Sequence, residues 1–281
     1  MPHSRVEKVQ AFKAEEEEKL ERQFLKGVKD EEVGVYCDLF SAKSSVEGQD
    51  GGVVTALLQK GFREGLFDVA IVVRRIQDYN AEAIVVEKPE DTSSTTGTTY
   101  LKINMIKKLR ELISQGKKRI AIVCTPCEAK AARKIQQIIG KDCEITVIGL
   151  FCFEAFNHSK LRVAVKKHLG VDLEKIGKTQ VKNGKFVAWA NGQEFSCNVK
   201  DFDGACEVAC RFCDDFTSRL ADISVGSVGS KQGYSTVIIR SPTGERLVKN
   251  NDFIKDNTDK QEIVRLSKFK RKRAKKNYLE L

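Results

Sequence analysis

The chain has 281 residues, 41% of them apolar, which is enough for one large α/β unit or two small domains with a buried core. No run of eighteen apolar residues exists, and the charged opening MPHSRVEKVQAFKAEEEEKL offers no apolar stretch for a signal peptide, so neither a membrane span nor export is expected and the expected location is cytoplasmic. Net charge is +10, but from Arg265 onward eight Lys or Arg stand against the single acid Glu280. The body is therefore nearly balanced. It also lacks the interleaved aromatics of a single-strand-binding surface, so no nucleic-acid partner is expected.

In chain order, Arg5 to about Lys26 reads as an exposed helix around the acidic run Glu15 to Glu18. Strand and helix patterns then alternate, as in parallel βαβ units. Helix Gly52 to Glu64 is followed by strands at Asp68 to Arg74 and Ala83 to Glu87. Helix Leu101 to Gln115 closes at Gly116. Strand Arg119 to Val123 leads through Pro126 into helix Cys127 to Ile139. Glu144 to Cys152 reads as a buried strand and His158 to Leu169 as a helix. Two Asn-Gly pairs, at Asn183 and Asn191, predict an antiparallel meander from about Lys178 to Asn198. Strand Tyr234 to Arg240 completes the body, and the basic tail reads as a solvated, partly disordered arm, with docking on an acidic partner as the alternative.

The expected fold is thus α/β: a mainly parallel βαβ core, an antiparallel meander and a cysteine-rich cluster-binding segment. The expected division is an N-terminal helical segment (1–30), an α/β core (31–170), a meander and cysteine region (171–250) and the tail (251–281).

Nine cysteines, an odd number unevenly spread, suit reduced thiols better than a disulfide framework. Cys206, Cys210 and Cys213 form CxxxCxxC, a spacing that lets one backbone segment supply three thiolates to an iron–sulfur cluster or to structural zinc. The fourth ligand must come from elsewhere, and Cys152, after its strand, and Cys127, at the head of its helix, are both placed for it because ends of parallel strands converge on one sheet edge. Cys124 and Cys127 also read as a possible strand-turn-helix dithiol. Cys37, Cys143 and Cys197 read as small buried residues. The glycine-rich turn Gly48, Gly51, Gly52, leading into Val53 and its helix, suits a diphosphate at a helix N-terminus. Thr96, Gly97 and Thr98 precede the next helix and suit either a second phosphate or a cap.

The runs GQDGGVVTALL, CTPCEA, GLFC, CRFCDDF with ADISVGSVG, and GYSTVIIRSPTG, in that order, resemble the beta-subunit family of coenzyme F420 hydrogenases and dehydrogenases. Within that family the chain resembles the subunit of the F420-reducing nickel-iron hydrogenase of methanogens; the beta subunit of F420-dependent formate dehydrogenase is the alternative, and a zinc-bearing binding module is the reading outside the family. Family members with additional ferredoxin-like cysteine sets differ from this chain, which has no second set. The resemblance implies FAD, one four-iron four-sulfur cluster and reversible hydride transfer between the flavin and F420, with no protein nucleophile. It implies as partners a nickel-iron large subunit and an iron–sulfur small subunit. It assigns Gly48, Gly51, Gly52 and Val53 to FAD, with Thr96, Gly97 and Thr98 as further candidates, and leaves Cys127, Cys152, Cys206, Cys210 and Cys213 competing for four cluster positions. Lys102 and Arg240 are candidates to guide the polyanionic F420 tail.

Overall fold

The computed structural model describes residues 5–46, 48, 50–95 and 97–280. Two short strands, β1 (Val28–Asp30) and β2 (Gly34–Tyr36), follow helix α1 (Arg5–Phe24) as an antiparallel pair. The main sheet takes β3 (Asp38–Lys43), β4 (Val69–Arg75), β5 (Ala81–Val86), β6 (Arg119–Cys124) and β7 (Glu144–Leu150), then, after the meander, β11 (Ile223–Gly226), β12 (Ser235–Ile239) and β13 (Ile254–Asp256). Its order is β13-β3-β12-β11-β7-β6-β4-β5. The central strands β11, β7, β6 and β4 are parallel, while β12, β13 and β5 run antiparallel to their neighbours. The α/β expectation holds, with a mixed rather than wholly parallel sheet.

Alternation along the strands builds two cores. Ala70, Val72, Ala121 and Val123 pack beneath helix α2 (Val53–Arg63), with Leu57, Leu58 and Phe67. Val69, Ile71, Ile120 and Ile122 face the other way, under α3 (Met105–Ser114) and α4 (Pro126–Ile139), with Leu109, Ala129 and Ala132. Both faces are therefore covered, which is why these strands read as continuous apolar runs. The short helix α6 (Pro242–Val248) joins the α2 side through Leu247 and Val248.

The segment between β7 and β11 builds a third core. Helix α5 (His158–Leu169) covers the meander β8 (Ile176–Lys182), β9 (Lys185–Ala190) and β10 (Gln193–Asn198), and Leu161, Val165, Phe186 and Phe202 close on Phe156. Both Asn-Gly turns adopt left-handed backbone at both residues, φ 52° and 74° at Asn183-Gly184 and 51° and 77° at Asn191-Gly192, the geometry of a type I′ hairpin.

Helix α3 begins at Met105, not Leu101. Leu101 forms a β-bridge with Phe156, and the Asn104 side chain caps the helix by accepting from the Lys107 N–H. The cap of α3 is therefore Asn104 rather than Thr98. Helix α1 is not free in solvent either: Leu20 is buried, and Glu16 and Glu17 pair with Lys134 and Lys130 of α4.

The largest departure is the basic tail. It folds as a 20-residue helix, α7 (Lys260–Leu279), whose N-cap Asp259 accepts from two backbone N–H groups. Ile263, Ser267, Lys270 and Ala274 form its buried stripe, at helical spacing. Only one of the four is a large apolar residue, so hydrophobic periodicity does not announce this helix, and an exposed arm was the wrong expectation.

Candidate functional site

The carboxyl ends of β3, β6, β7 and β11 meet at one sheet edge, where open α/β sheets place their ligands. From that edge come residues 44–46 and 50–52, Thr125 to Cys127, Phe151 with Cys152, and the stretch after Gly226.

The route after β7 positions the thiols. Its backbone is laced to two other segments: Phe156 N–H donates to Tyr100 O (2.7 Å), Lys102 N–H to Phe156 O (3.1 Å), Asn157 N–H to Ala205 O (2.9 Å) and Glu207 N–H to Ala155 O (2.9 Å). This three-part ribbon sets Lys102, Cys152 and Cys206 in neighbouring segments, although they are far apart in sequence. Cys210 and Cys213 follow on a short 3-10 turn, Val208–Phe212. Two motif glycines allow the close packing behind it. A Cβ on Gly149 would lie 2.2 Å from Ser218 Oγ, and one on Gly226 2.2 Å from the Phe151 ring.

Burial pushes the Cys152 thiol up to about 12, and the thiols of Cys213, Cys210 and Cys127 are near enough to raise it further. Burial raises Cys213 as well. A hydrogen bond between Cys206 and Cys210 splits that pair, driving Cys206 up and bringing Cys210 down to about 6. Cys127 is exposed at the head of α4, with Lys102 Nζ 3.7 Å from its sulfur and Thr125 Oγ1 3.4 Å away. Five candidate thiols from three stretches of chain therefore face one region. Among the described residues no three His, Cys, Asp or Glu side chains form a group that could hold a single metal ion.

Lys102, Lys270 and Arg273 reach these segments. Lys102 pairs with Glu128 at 3.0 Å. From α7, Arg273 pairs with Glu154 at 2.6 Å and donates to Phe153 O and Cys210 O, both at 3.1 Å. Lys270, 1% exposed, donates to Cys152 O at 2.5 Å and Asp215 O at 2.7 Å. Neither α7 residue was a sequence candidate. The only signal for Lys270 was its position on a helical stripe otherwise made of Ile263, Ser267 and Ala274. A cleft of about 490 Å³ under α1 is lined by Cys127, Cys213, Phe212, Leu220 and Tyr278 among others.

The glycine turn lies at the same edge. Gly52, at φ 64°, is the N-cap of α2 and has no side chain to cap it, and helix starts of this kind can receive an anion. The glycines also have a local reason. A Cβ on Gly52 would lie 1.9 Å from Val46 O and one on Gly51 2.5 Å from Ala42 O, while the Gly51 N–H already donates to Ser235 Oγ at 3.2 Å. Gly48 is half-buried and Val53 is buried beneath the turn. Gly97 and Thr98 are exposed, and Thr96 lies outside the described residues.

Arg240 does not reach this edge. It is fully buried, with Nε on Ser224 Oγ, Nη1 on Val35 O and Nη2 on Thr217 O and Oγ1, which commits every guanidinium nitrogen to the framework rather than to a substrate. Cys124 is 2% exposed in the α3–α4 core, and burial holds its thiol well above the ordinary range, opposite to the low value that a reactive dithiol needs. Cys143 is buried and Cys197 half-buried, but Cys37 is exposed. Asp222, of the ADIS run, is a hub of the fold: it pairs with Arg133 at 2.8 Å and accepts from Val147 N–H and Ser241 Oγ.

Residues 39–110 match the N-terminal part, and residues 117–258 the C-terminal part, of the family described as coenzyme F420 hydrogenase/dehydrogenase, beta subunit. The chain belongs to this beta-subunit family. Among its relatives, a coenzyme F420-dependent sulfite reductase of Methanocaldococcus jannaschii is 37% identical over 86% of this chain and 40% of its own length. A coenzyme F420 hydrogenase subunit beta of Methanococcus voltae is 32% identical over 79% of this chain and 85% of its own length. A chain of the F420-reducing nickel-iron hydrogenase complex from Methanosarcina barkeri superimposes with a TM-score of 0.83, covering 90% of this chain and 94% of that one at 28% identity. The chain thus spans less than half of the sulfite reductase, and 62% of a related chain of the F(420)H(2) dehydrogenase of Methanosarcina mazei. The beta-subunit fold accordingly occurs in longer relatives as well as short ones. Among the described residues no helix is long and apolar enough to cross a membrane.

Proposed function

We propose that this chain exchanges electrons between coenzyme F420 and an iron–sulfur centre through a bound FAD, as the F420-reacting part of a larger oxidoreductase. The observation that carries the reading is the convergence of Cys127, Cys152, Cys206, Cys210 and Cys213 on one region, with Lys102 and Lys270 beside them. Thiolates are the usual ligands of iron–sulfur clusters, and here Cys152 lies within electrostatic reach of Cys127, Cys210 and Cys213 while Cys206 is hydrogen-bonded to Cys210.

When bound, FAD converts between the two-electron chemistry of a deazaflavin and the one-electron chemistry of a cluster. The chain's own residues bind and orient. The uncapped start of α2, with Gly48, Gly51, Gly52 and Val53, is the proposed seat for the FAD diphosphate, and Gly97 and Thr98 are further candidates. Lys102, one-third exposed, is the proposed basic contact for the F420 tail. Lys178 is a second candidate, because it lies within electrostatic reach of Asp50 in the glycine turn. No protein nucleophile is required. The partner reading is a nickel-iron large subunit with its iron–sulfur small subunit, and the same chemistry would serve another electron acceptor.

The test is anaerobic mixing of the purified, reconstituted chain with reduced F420. Bleaching of a bound flavin, with oxidised F420 appearing in step, is expected. A colourless protein holding one zinc and no flavin would replace this reading with that of a metal-stabilised binding module.

A further inference from the structure

Lys102, Lys270 and Arg273 touch the cysteine segments, and they differ in what neutralises them. Lys102 has Glu128 at 3.0 Å and Arg273 has Glu154 at 2.6 Å. Lys270 is the most buried of the three and makes no ion pair with a carboxylate among the described residues. Its ammonium is held by two carbonyl oxygens, those of Cys152 and Asp215. The Asp215 side chain turns instead to the Arg219 N–H, at 2.9 Å. Carbonyl dipoles replace part of a lost hydration shell, but a buried cation still needs a negative charge nearby. The groups beside Lys270 that can supply one are first the sulfurs of Cys152 and Cys213 and then, more weakly, the Asp215 carboxylate, which lies beyond ion-pair distance.

We propose that Lys270 is a positioning residue whose fixed positive charge, delivered by the C-terminal helix, neutralises the thiolate-held centre and raises its reduction potential. This assignment rests on the iron–sulfur reading above. Reduction adds one electron and one negative charge at the centre, with no bond made or broken, so a cation locked close by favours the reduced form. Arg273 anchors the next cysteine loop through the Cys210 carbonyl, but its charge is already met by Glu154. The two α7 residues are therefore separable: one holds shape and the other sets charge.

The experiment is a redox titration of the reconstituted chain followed by electron paramagnetic resonance, with iron counted on the same samples. Lys270→Met keeps the length of the side chain and removes its charge. At a fixed potential its reduced-to-oxidised ratio should fall about tenfold, a downward shift of about 59 mV for one electron. Lys270→Arg should stay within about twofold of the wild type (about 18 mV by the same conversion). A fully loaded Lys270→Met chain with an unmoved potential would overturn the assignment and leave a purely structural lysine. If Lys270→Met holds no iron, Lys270→Arg decides: a loaded chain at the wild-type potential supports the charge role, and loss of iron there too refutes it. A wild-type chain that takes up no iron refutes the iron–sulfur reading itself, which is a different outcome from an unmoved potential.

Discussion

Helices α1 and α7 are both 20 residues long and both heavily charged, yet they are attached in opposite ways. Helix α1 lies on α4 through exposed or half-exposed pairs, Lys130–Glu17 and Lys134–Glu16, and a third such pair, Lys13–Asp214, ties it to the residue after Cys213. Helix α7 instead sends Lys270 and Arg273 inward, to carbonyls of the cysteine segments. Charge on the surface of a helix is worth little and is screened by salt. Charge taken inside is costly, so it persists only where something holds it. The contrast teaches that the cationic character of the C-terminal segment is not one property: the buried part packs on the cysteine segments, and the exposed part, Arg265, Lys268, Lys272, Lys275 and Lys276, is solvated.

The comparison can be broken most severely by removing α7 from Lys260 onward. Loss of all bound iron is expected, with the cysteine segments newly open to proteolysis; retention of iron would show that α7 is dispensable. Arg273→Met should come next. It strips Glu154 of its partner and two carbonyls of their donor, at a cost of about 1–3 kcal/mol, read from urea unfolding, with reduced iron retention. Lys13→Met tests the α1 side. It should cost less than about 1 kcal/mol and leave iron content at the wild-type level. The smallest effect belongs to Glu16→Lys with Glu17→Lys: iron is unchanged, and α1 becomes more sensitive to limited proteolysis to a degree that high salt, which weakens the native pairs as well, largely erases. An iron loss in either α1 variant would collapse the distinction between the two helices.

Much of the fold was legible because its signals are local. Strands β4, β6 and β7 are apolar runs buried on both faces, α4 starts at its proline, and the meander is announced by two Asn-Gly turns. Strand β3 was not legible, because in DLFSAK only Phe40, Ser41 and Ala42 are buried. Helix α7 was missed because its inward stripe carries a lysine and a serine. In the site, cysteine spacing selected the thiols, since ligand chemistry restricts residue type. Arg240 misled for the opposite reason: a lone arginine next to a motif reads the same whether it faces a substrate or, as here, Ser224, Val35 and Thr217. Lys270 is marked in the sequence only by its place on a weak helical stripe, and it takes the packing of α7 to show that it is buried.

The central claim is that thiols from separated stretches gather round one iron–sulfur centre close to a flavin. Its most direct test is the iron, acid-labile sulfide and flavin content of the full chain purified and reconstituted without oxygen. The account predicts about four irons, four sulfides and one FAD per chain. A chain that holds a single zinc, or no metal and no flavin, would contradict it.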